Sequence, residues 1–348
     1  MGDADRNDPV FATDGRPRRR SRRLILLSSL FIAGLVVASF LYHDQLSSLW
    51  NAENDLGNRF PPGALADYIP EDSQAVLAVN VRQLVDSPAG RQQLTPVLQY
   101  LIHQAGGQLR WMDLLGINPL DDLDYLQISF APAGGGDPLW LARGRFDRSR
   151  FQIGQDKLQE AKLDHFRIWE HIDRRAKRTT IVAPVGDVFV VSESGGGVQA
   201  ALKQASNPHP LAVHNAMLRN LLPNVDRRQT VWVAASLKRL GSISEIEDYW
   251  LRLLLRPLVS HAESVYGGIV CADDVRADLL FRAATEAAAE RLEMSLQNIR
   301  DLAGEGASLL VRQKELLHLL QLLGSGEIHR DGTTILLRCQ VAADQLEK

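Results

Sequence analysis

The chain has 348 residues, 45% of them hydrophobic and 23% charged, with a formal net charge of −3. That apolar content excludes a disordered chain, two cysteines exclude a disulfide framework, and the balanced charge excludes a nucleic-acid binder. The length suits about two domains, each with a core of its own.

The charge is unevenly placed. Residues 1–23 carry seven arginines against four aspartates, so the remainder is more acidic than the whole. Leu24–Tyr42 follows without a single charge. As a helix it would measure about 28 Å, against a hydrocarbon core of roughly 30 Å. Arg18, Arg19, Arg20, Arg22 and Arg23 directly precede it and are expected to hold the amino end in the cytoplasm. The pattern predicts a single-pass transmembrane signal-anchor at the cytoplasmic membrane, with the carboxyl-terminal body outside. Val36 and Ala38 fit a cleavage site after Ala38, but the apolar run continues through Phe40-Leu41-Tyr42, so the uncleaved anchor is preferred. Arg6 stands where a myristoylation pattern needs Ser or Thr.

Residues 43–67 are polar, with Pro61, Pro62 and Gly63, and read as a stalk. A strand is expected at Ala75–Val81 and a helix at Ser87–Gln104, with Ser87-Pro88 as its entry signal. Strands follow at Tyr125–Ala131 and Leu139–Phe146 around a Gly134-Gly135-Gly136 loop, then a helix at Asp147–Leu158. His165–Ile172 alternates as a strand, and Thr179–Pro184 with Val188–Ser192 forms a hairpin leading into a helix at Val198–Gln204. The order then recurs. Val231–Leu240 lies over Ala75–Leu84, with Lys238 on Arg82, and a helix is expected at Ser244–Leu255. Strands at Ser264–Cys271 and Ala277–Ala283 come next, and Leu280-Phe281-Arg282 echoes Leu141-Ala142-Arg143. A long helical region, Glu286–Leu323, precedes a last hairpin in which Thr333-Thr334-Ile335 lies over Thr179-Thr180-Ile181. Three matches in one order indicate an internal duplication. The expected body is therefore α+β: two tandem β-α-β-β-α-β-like units with antiparallel sheets, covering 68–206 and 207–348.

Ile69–Pro88 (IPEDSQAVLAVNVRQLVDSP), Leu115–Asp124 and Arg143–Asp147 resemble an uncharacterised family of membrane-anchored proteins typical of planctomycete bacteria. The resemblance covers the chain from about Tyr68 and implies an extracytoplasmic body. It supplies no catalytic residues.

Few residues point to chemistry. Ser194-Gly195-Gly196-Gly197 stands between a strand and a helix, where free backbone N–H groups suit an anion. It lacks a GxGxxG or P-loop signature and follows Glu193, so a turn with a helix cap is the preferred reading. No metal site is expected: His165 and His171 are about 20 Å apart along a strand, there is no HExxH, and Cys271 and Cys339 lack CxxC spacing. Those cysteines are either bridged or a buried free pair. Asp121, Asp122 and Asp124 lack the spacing of a calcium loop and read as loop caps. Arg174, Arg175, Lys177 and Arg178 read as a solvated turn, and the Leu-rich stretches Tyr249–Val259 and Leu309–Leu323 as core.

No catalytic residue and no cofactor are assigned. The leading expectation is non-catalytic binding or scaffolding, with the lipid bilayer met through Leu24–Tyr42 and a protein or cell-envelope partner, but no nucleic acid. An enzyme with its site between the two units, or a carrier of an apolar ligand, is the alternative.

Overall fold

The computed structural model describes residues 65, 68–91, 95, 110–130, 137–146, 158–173, 178–206, 213, 215–239, 256, 258–310 and 324–342. The first half runs β1 (Ala75–Val79), α1 (Val81–Asp86), α2 (Arg110–Leu115), β2 (Leu123–Phe130), β3 (Leu139–Gly144), β4 (Gln159–Leu163), β5 (Phe166–Asp173), β6 (Arg178–Val185), β7 (Val188–Ser192) and α3 (Gly195–Ser206). The second runs α4 (Ala216–Leu221), β8 (Val231–Ser236), β9 (Ala262–Cys271), β10 (Asp274–Ala283), α5 (Glu286–Leu310), β11 (Glu327–Asp331) and β12 (Thr334–Ala342).

Among the described residues, twelve strands join one antiparallel sheet in the order β11-β12-β10-β9-β8-β1-β2-β3-β7-β6-β5-β4. This corrects the expected fold class of two α+β units with their own sheets. In a split βαβ arrangement a third strand separates β1 from β2; here the two are direct antiparallel neighbours, Leu77 facing Ile128. The physical reason lies in β1 and β8. Both are buried along their whole length and carry none of the charges of an edge strand. Pairing them removes two apolar edges that separate sheets would leave open. The true edges are short and charged: β4 reads QEAKL and β11 reads EIHRD. No helix among the described residues is long and apolar enough to cross a membrane. Leu24–Tyr42, the arginines before it and the stalk apart from Leu65 lie outside those residues. Leu65 corrects the stalk boundary, since it is buried in the core beneath α3.

The seam is a local pseudo-two-fold axis. The sequence match that lays β8 over β1 equates Leu77 with Val233, and these two residues face each other across the seam. Its ends are closed by an equivalent pair of bonds: Asn80 N–H donates to the Thr230 carbonyl at 2.7 Å, and Ser236 N–H donates to the Gln74 carbonyl at 2.8 Å. Moving outward, β2 answers to β9 and β3 to β10, so that Arg143 answers to Arg282 as in the sequence echo. The third sequence match is corrected. By position in the sheet, β12 answers to β7 rather than β6, and the β6–β7 hairpin answers to β11–β12. Gly186 and Gly332 hold the same place in these two hairpins, with φ of 61° and 55°. The residue after each has no positive φ, the pattern of a two-residue turn that needs Gly first.

One face of the sheet packs beneath α1, α2 and α5 through Leu77, Val233, Ile128, Val265, Leu279 and Phe281. In α5 the contacts recur at Ala289, Leu292 and Leu296, the spacing of one helical face, and Thr285 Oγ1 accepts from the Ala288 N–H at 3.1 Å to start the helix. On the other face α4 covers Val76, Ala78, Trp232 and Ala234, and α3 covers Leu139, Leu141, Val188 and Val190. The second half differs here: the residues that answer to those under α3 include Asp278, Leu280, Thr334 and Leu336, and no described helix packs on them. A charged ladder occupies the surface instead. Arg276 Nε donates to Asp274 at 2.7 Å, Gln340 Nε2 donates to the same Asp274 oxygen at 2.7 Å, and Arg338 Nε donates to Asp278 at 3.0 Å.

Among the expected helices, the one from Ser87 starts where its entry signal places it: the chain is helical over residues 88–91, and Ser87 Oγ accepts from the Gly90 N–H at 3.0 Å. α1, which precedes it from Val81 under an Asn80 cap, was not expected. Residues 92–94 and 96–109, the helix at Asp147–Leu158 apart from its last residue, Ser244–Leu255 and residues 311–323 lie outside the described residues. β4 and α4 were not expected, since neither QEAKL nor AMLRNL shows a periodic apolar pattern long enough to read.

Candidate functional site

The Ser194–Gly197 segment is a helix start. Ser194 N–H donates to Ser192 Oγ at 3.2 Å, Gly197 N–H to Ser194 Oγ at 3.5 Å, and Val198 N–H to the Ser194 carbonyl at 3.3 Å. Several donors that an anion would need are thus used inside the turn. A Cβ fits at each glycine, its nearest neighbour at Gly195 being Ile181 Cδ1 at 3.4 Å, so the backbone is not pressed against a ligand space. Asp122 accepts from the Asn118 N–H at 2.7 Å and Asp121 accepts from the Asn118 side chain, which makes both carboxylates turn caps. Among the described residues no three His, Cys, Asp or Glu side chains are grouped to hold a metal ion. Cys271 and Cys339 are free and buried, on β9 and β12 with β10 between them. Two strand spacings of about 4.8 Å exceed the Cα separation a disulfide allows. Burial pushes the Cys271 thiol up to about 12 and raises Cys339 as well, so neither supplies a thiolate at neutral pH.

The arrangement that does bring charged groups together lies where β2 starts and β3 ends. Leu123 faces Gly144 and Tyr125 faces Arg143, which leaves Asp124 as the extra residue of a β-bulge. Gly144 is needed there, because a Cβ would overlap the Asp122 carbonyl oxygen. Asp124 is 8% exposed. Its carboxyl is raised above the usual range by burial, against the opposing pull of the Arg82 and Arg143 guanidinium groups. Arg145 Nη2 lies 3.6 Å from Asp124 Oδ1, and Arg143 Nε lies 3.2 Å from Asp187 Oδ2 on the β6–β7 turn. Arg82, in α1, pairs with Asp86 one turn along at 3.6 Å.

The second half repeats the junction. Ala262 faces Ala283 and Ser264 faces Arg282, so Glu263 is the extra residue of an equivalent bulge. Glu263 stands where Asp124 stands, Arg282 where Arg143 stands, and Lys238 where Arg82 stands; Lys238 forms an ion pair with Glu263. A backbone bond marks the equivalence of the turns: Gly144 N–H donates to the Asp187 carbonyl at 3.4 Å, and Ala283 N–H donates to the Thr333 carbonyl at 2.9 Å. An acid on a bulge, with a cation on the element that follows the central strand and another on the strand alongside, therefore stands at equivalent positions in both halves despite little sequence likeness between them. Chemically, each junction locks the end of a central strand to the next element and offers guanidinium groups to solvent. It contains no nucleophile and base pair. The seam itself carries no titratable side chain on β1 or β8.

The sequence held half of this signal. Both strand matches contained the cations, as Arg82 with Lys238 and Arg143 with Arg282, but the acids lie on strands for which no match was visible. No family model matches the chain, and no curated protein matches it. A solved structure described as "Structure of crystal form I of TP0453" is similar over 81% of this chain and 94% of that one, at 10% identity and a TM-score of 0.42. At that score the likeness carries no argument about fold or function.

Proposed function

We propose that this is a membrane-attached, non-catalytic binding or scaffolding protein, held at the cytoplasmic membrane through Leu24–Tyr42 with its sheet on the outer side. The observation that carries the binding role is the asymmetry between two otherwise equivalent half-sheets. Where α3 covers the first, the second carries the half-buried polar side chains of Asp274, Asp278, Arg338 and Gln340, with no described helix over them, on strands buried from behind. Strands fixed by hydrogen bonds on both sides hold such side chains in place at little entropic cost on binding. The uncharged run Leu24–Tyr42 behind its arginines supports the attachment and its direction, as does the resemblance of Ile69–Pro88 to anchored proteins.

Photo-crosslinking groups placed singly at Arg338 and Gln340, in intact cells, test the binding role. The expected outcome is one identified species captured at both positions and absent when the group is placed at the covered Leu292. Capture of nothing at either position, in cells that display the folded protein, contradicts it. For placement, protease added to spheroplasts is expected to digest the body and spare the arginine arm; a protected body contradicts the orientation.

A further inference from the structure

We infer that Arg282, together with the turn at Thr333, forms a binding site for an oxyanion, a carboxylate or a phosphate ester. The template for the site is inside the molecule. In the first half the guanidinium of Arg143 is matched by the carboxylate of Asp187, 3.2 Å away on the β6–β7 turn. In the second half Arg282 holds the place of Arg143, and the β11–β12 turn holds the place of the β6–β7 turn, fixed by the bond from Ala283 N–H to the Thr333 carbonyl at 2.9 Å. At the position of Asp187 the chain has Thr333. The second half has the cation without the carboxylate.

The other charges nearby do not replace it. Glu263, on the adjacent bulge, is engaged by Lys238. Asp331 faces Thr334 from beyond β12, and no ion pair joins it to Arg282 among the described residues. Arg282 is exposed, with no partner among those residues. The occupant is defined by what the first half places there: an oxygen anion beside the guanidinium, with the Thr333 hydroxyl as a donor in place of a covalent tether. Guanidinium groups suit carboxylates and phosphates through parallel N–H donors, and exposure makes the expected affinity modest. This site does not depend on the binding role of the open sheet face.

The test uses the full chain in phosphatidylcholine liposomes and reads thermal unfolding at constant ionic strength. Inorganic phosphate replaces chloride in one arm, and phosphatidic acid is added to the liposomes in the other. A ligand that binds the folded state alone raises the melting temperature. The expected result is a rise in at least one arm that is lost in Arg282→Gln and lost equally in Thr333→Asp, which supplies the carboxylate internally as the first half does. A rise with phosphate assigns the site to a free oxyanion, and a rise with phosphatidic acid alone assigns it to a lipid headgroup. Arg143→Gln is expected to keep the response. A response that survives Arg282→Gln or Thr333→Asp, or no response in either arm for the parent chain, overturns the inference.

Discussion

Asp124 shows how the fold handles charge at the residue scale. Its carboxyl is buried at a bulge, and burial outweighs the guanidinium groups around it, so its folded-state value lies above the ordinary 3.8. A raised carboxyl stabilises the fold below its unfolded value and loses that contribution as pH rises through the raised one. Asp124→Asn is therefore expected to match or exceed the parent in thermal stability at pH 7. It is also expected to flatten the fall in stability that begins above about pH 4, read by unfolding across a pH series. A clear loss at pH 7 would mean that the Arg145 pair outweighs burial. Beside it, Gly144→Ala forces a Cβ against the Asp122 carbonyl, and a loss of about 2 kcal/mol or more is expected by chemical denaturation. The cysteines give a third check. Intact mass is expected to be the same with and without reductant, and thiol labelling to require unfolding, because both sulfurs are buried and two strands apart.

At the scale of elements, the two faces of the sheet predict different tolerance at equivalent positions. Leu141 is 0% exposed under α3, whereas Leu280, its counterpart, is half-buried with no described helix over it. Leu141→Asn buries an amide among apolar neighbours and is expected to cost several kcal/mol, while Leu280→Asn is expected to cost under about 1 kcal/mol. Equal costs, measured by denaturant titration, would show that the open face is covered. Elements are also where the limits of sequence reading lie. Alternation and glycine turns made β2, β3, β5, β6, β7, β9 and β10 legible, since each depends on residues within a few positions of one another. The partner of β1 was not legible. Val and Ala runs specify burial on both faces but not which strand supplies it, and the answer lies about 150 residues away, at β8. The acids of the repeated junction escaped for a related reason. A bulge exists only relative to a paired strand, so Asp124 and Glu263 look like ordinary loop acids until β3 and β10 are laid beside them. The Ser194–Gly197 turn was the opposite case, fully visible in sequence and spent on starting α3.

For the whole molecule, the seam makes one sheet roughly 50 Å across from two related halves. A continuous ladder predicts a single unfolding event in which both halves exchange their amide protons together; two separated transitions would indicate halves that fold apart. Its ends are protected by charge. Neutralising β4 by Glu160→Thr with Lys162→Thr is expected to produce concentration-dependent association, detectable by sedimentation, because the edge then resembles an interior strand. The most direct test of the account is the seam register. The closing bonds at Asn80 and Ser236 place Leu77 and Val233 in a non-hydrogen-bonded pair, where facing Cα atoms approach to about 4.5 Å. That separation is within reach of a disulfide. Oxidation of the full chain carrying Leu77→Cys and Val233→Cys is expected to give an intramolecular crosslink, identified in the intact-mass and peptide spectra. A folded double variant that forms no crosslink, or one that crosslinks only between chains, would contradict the continuous sheet.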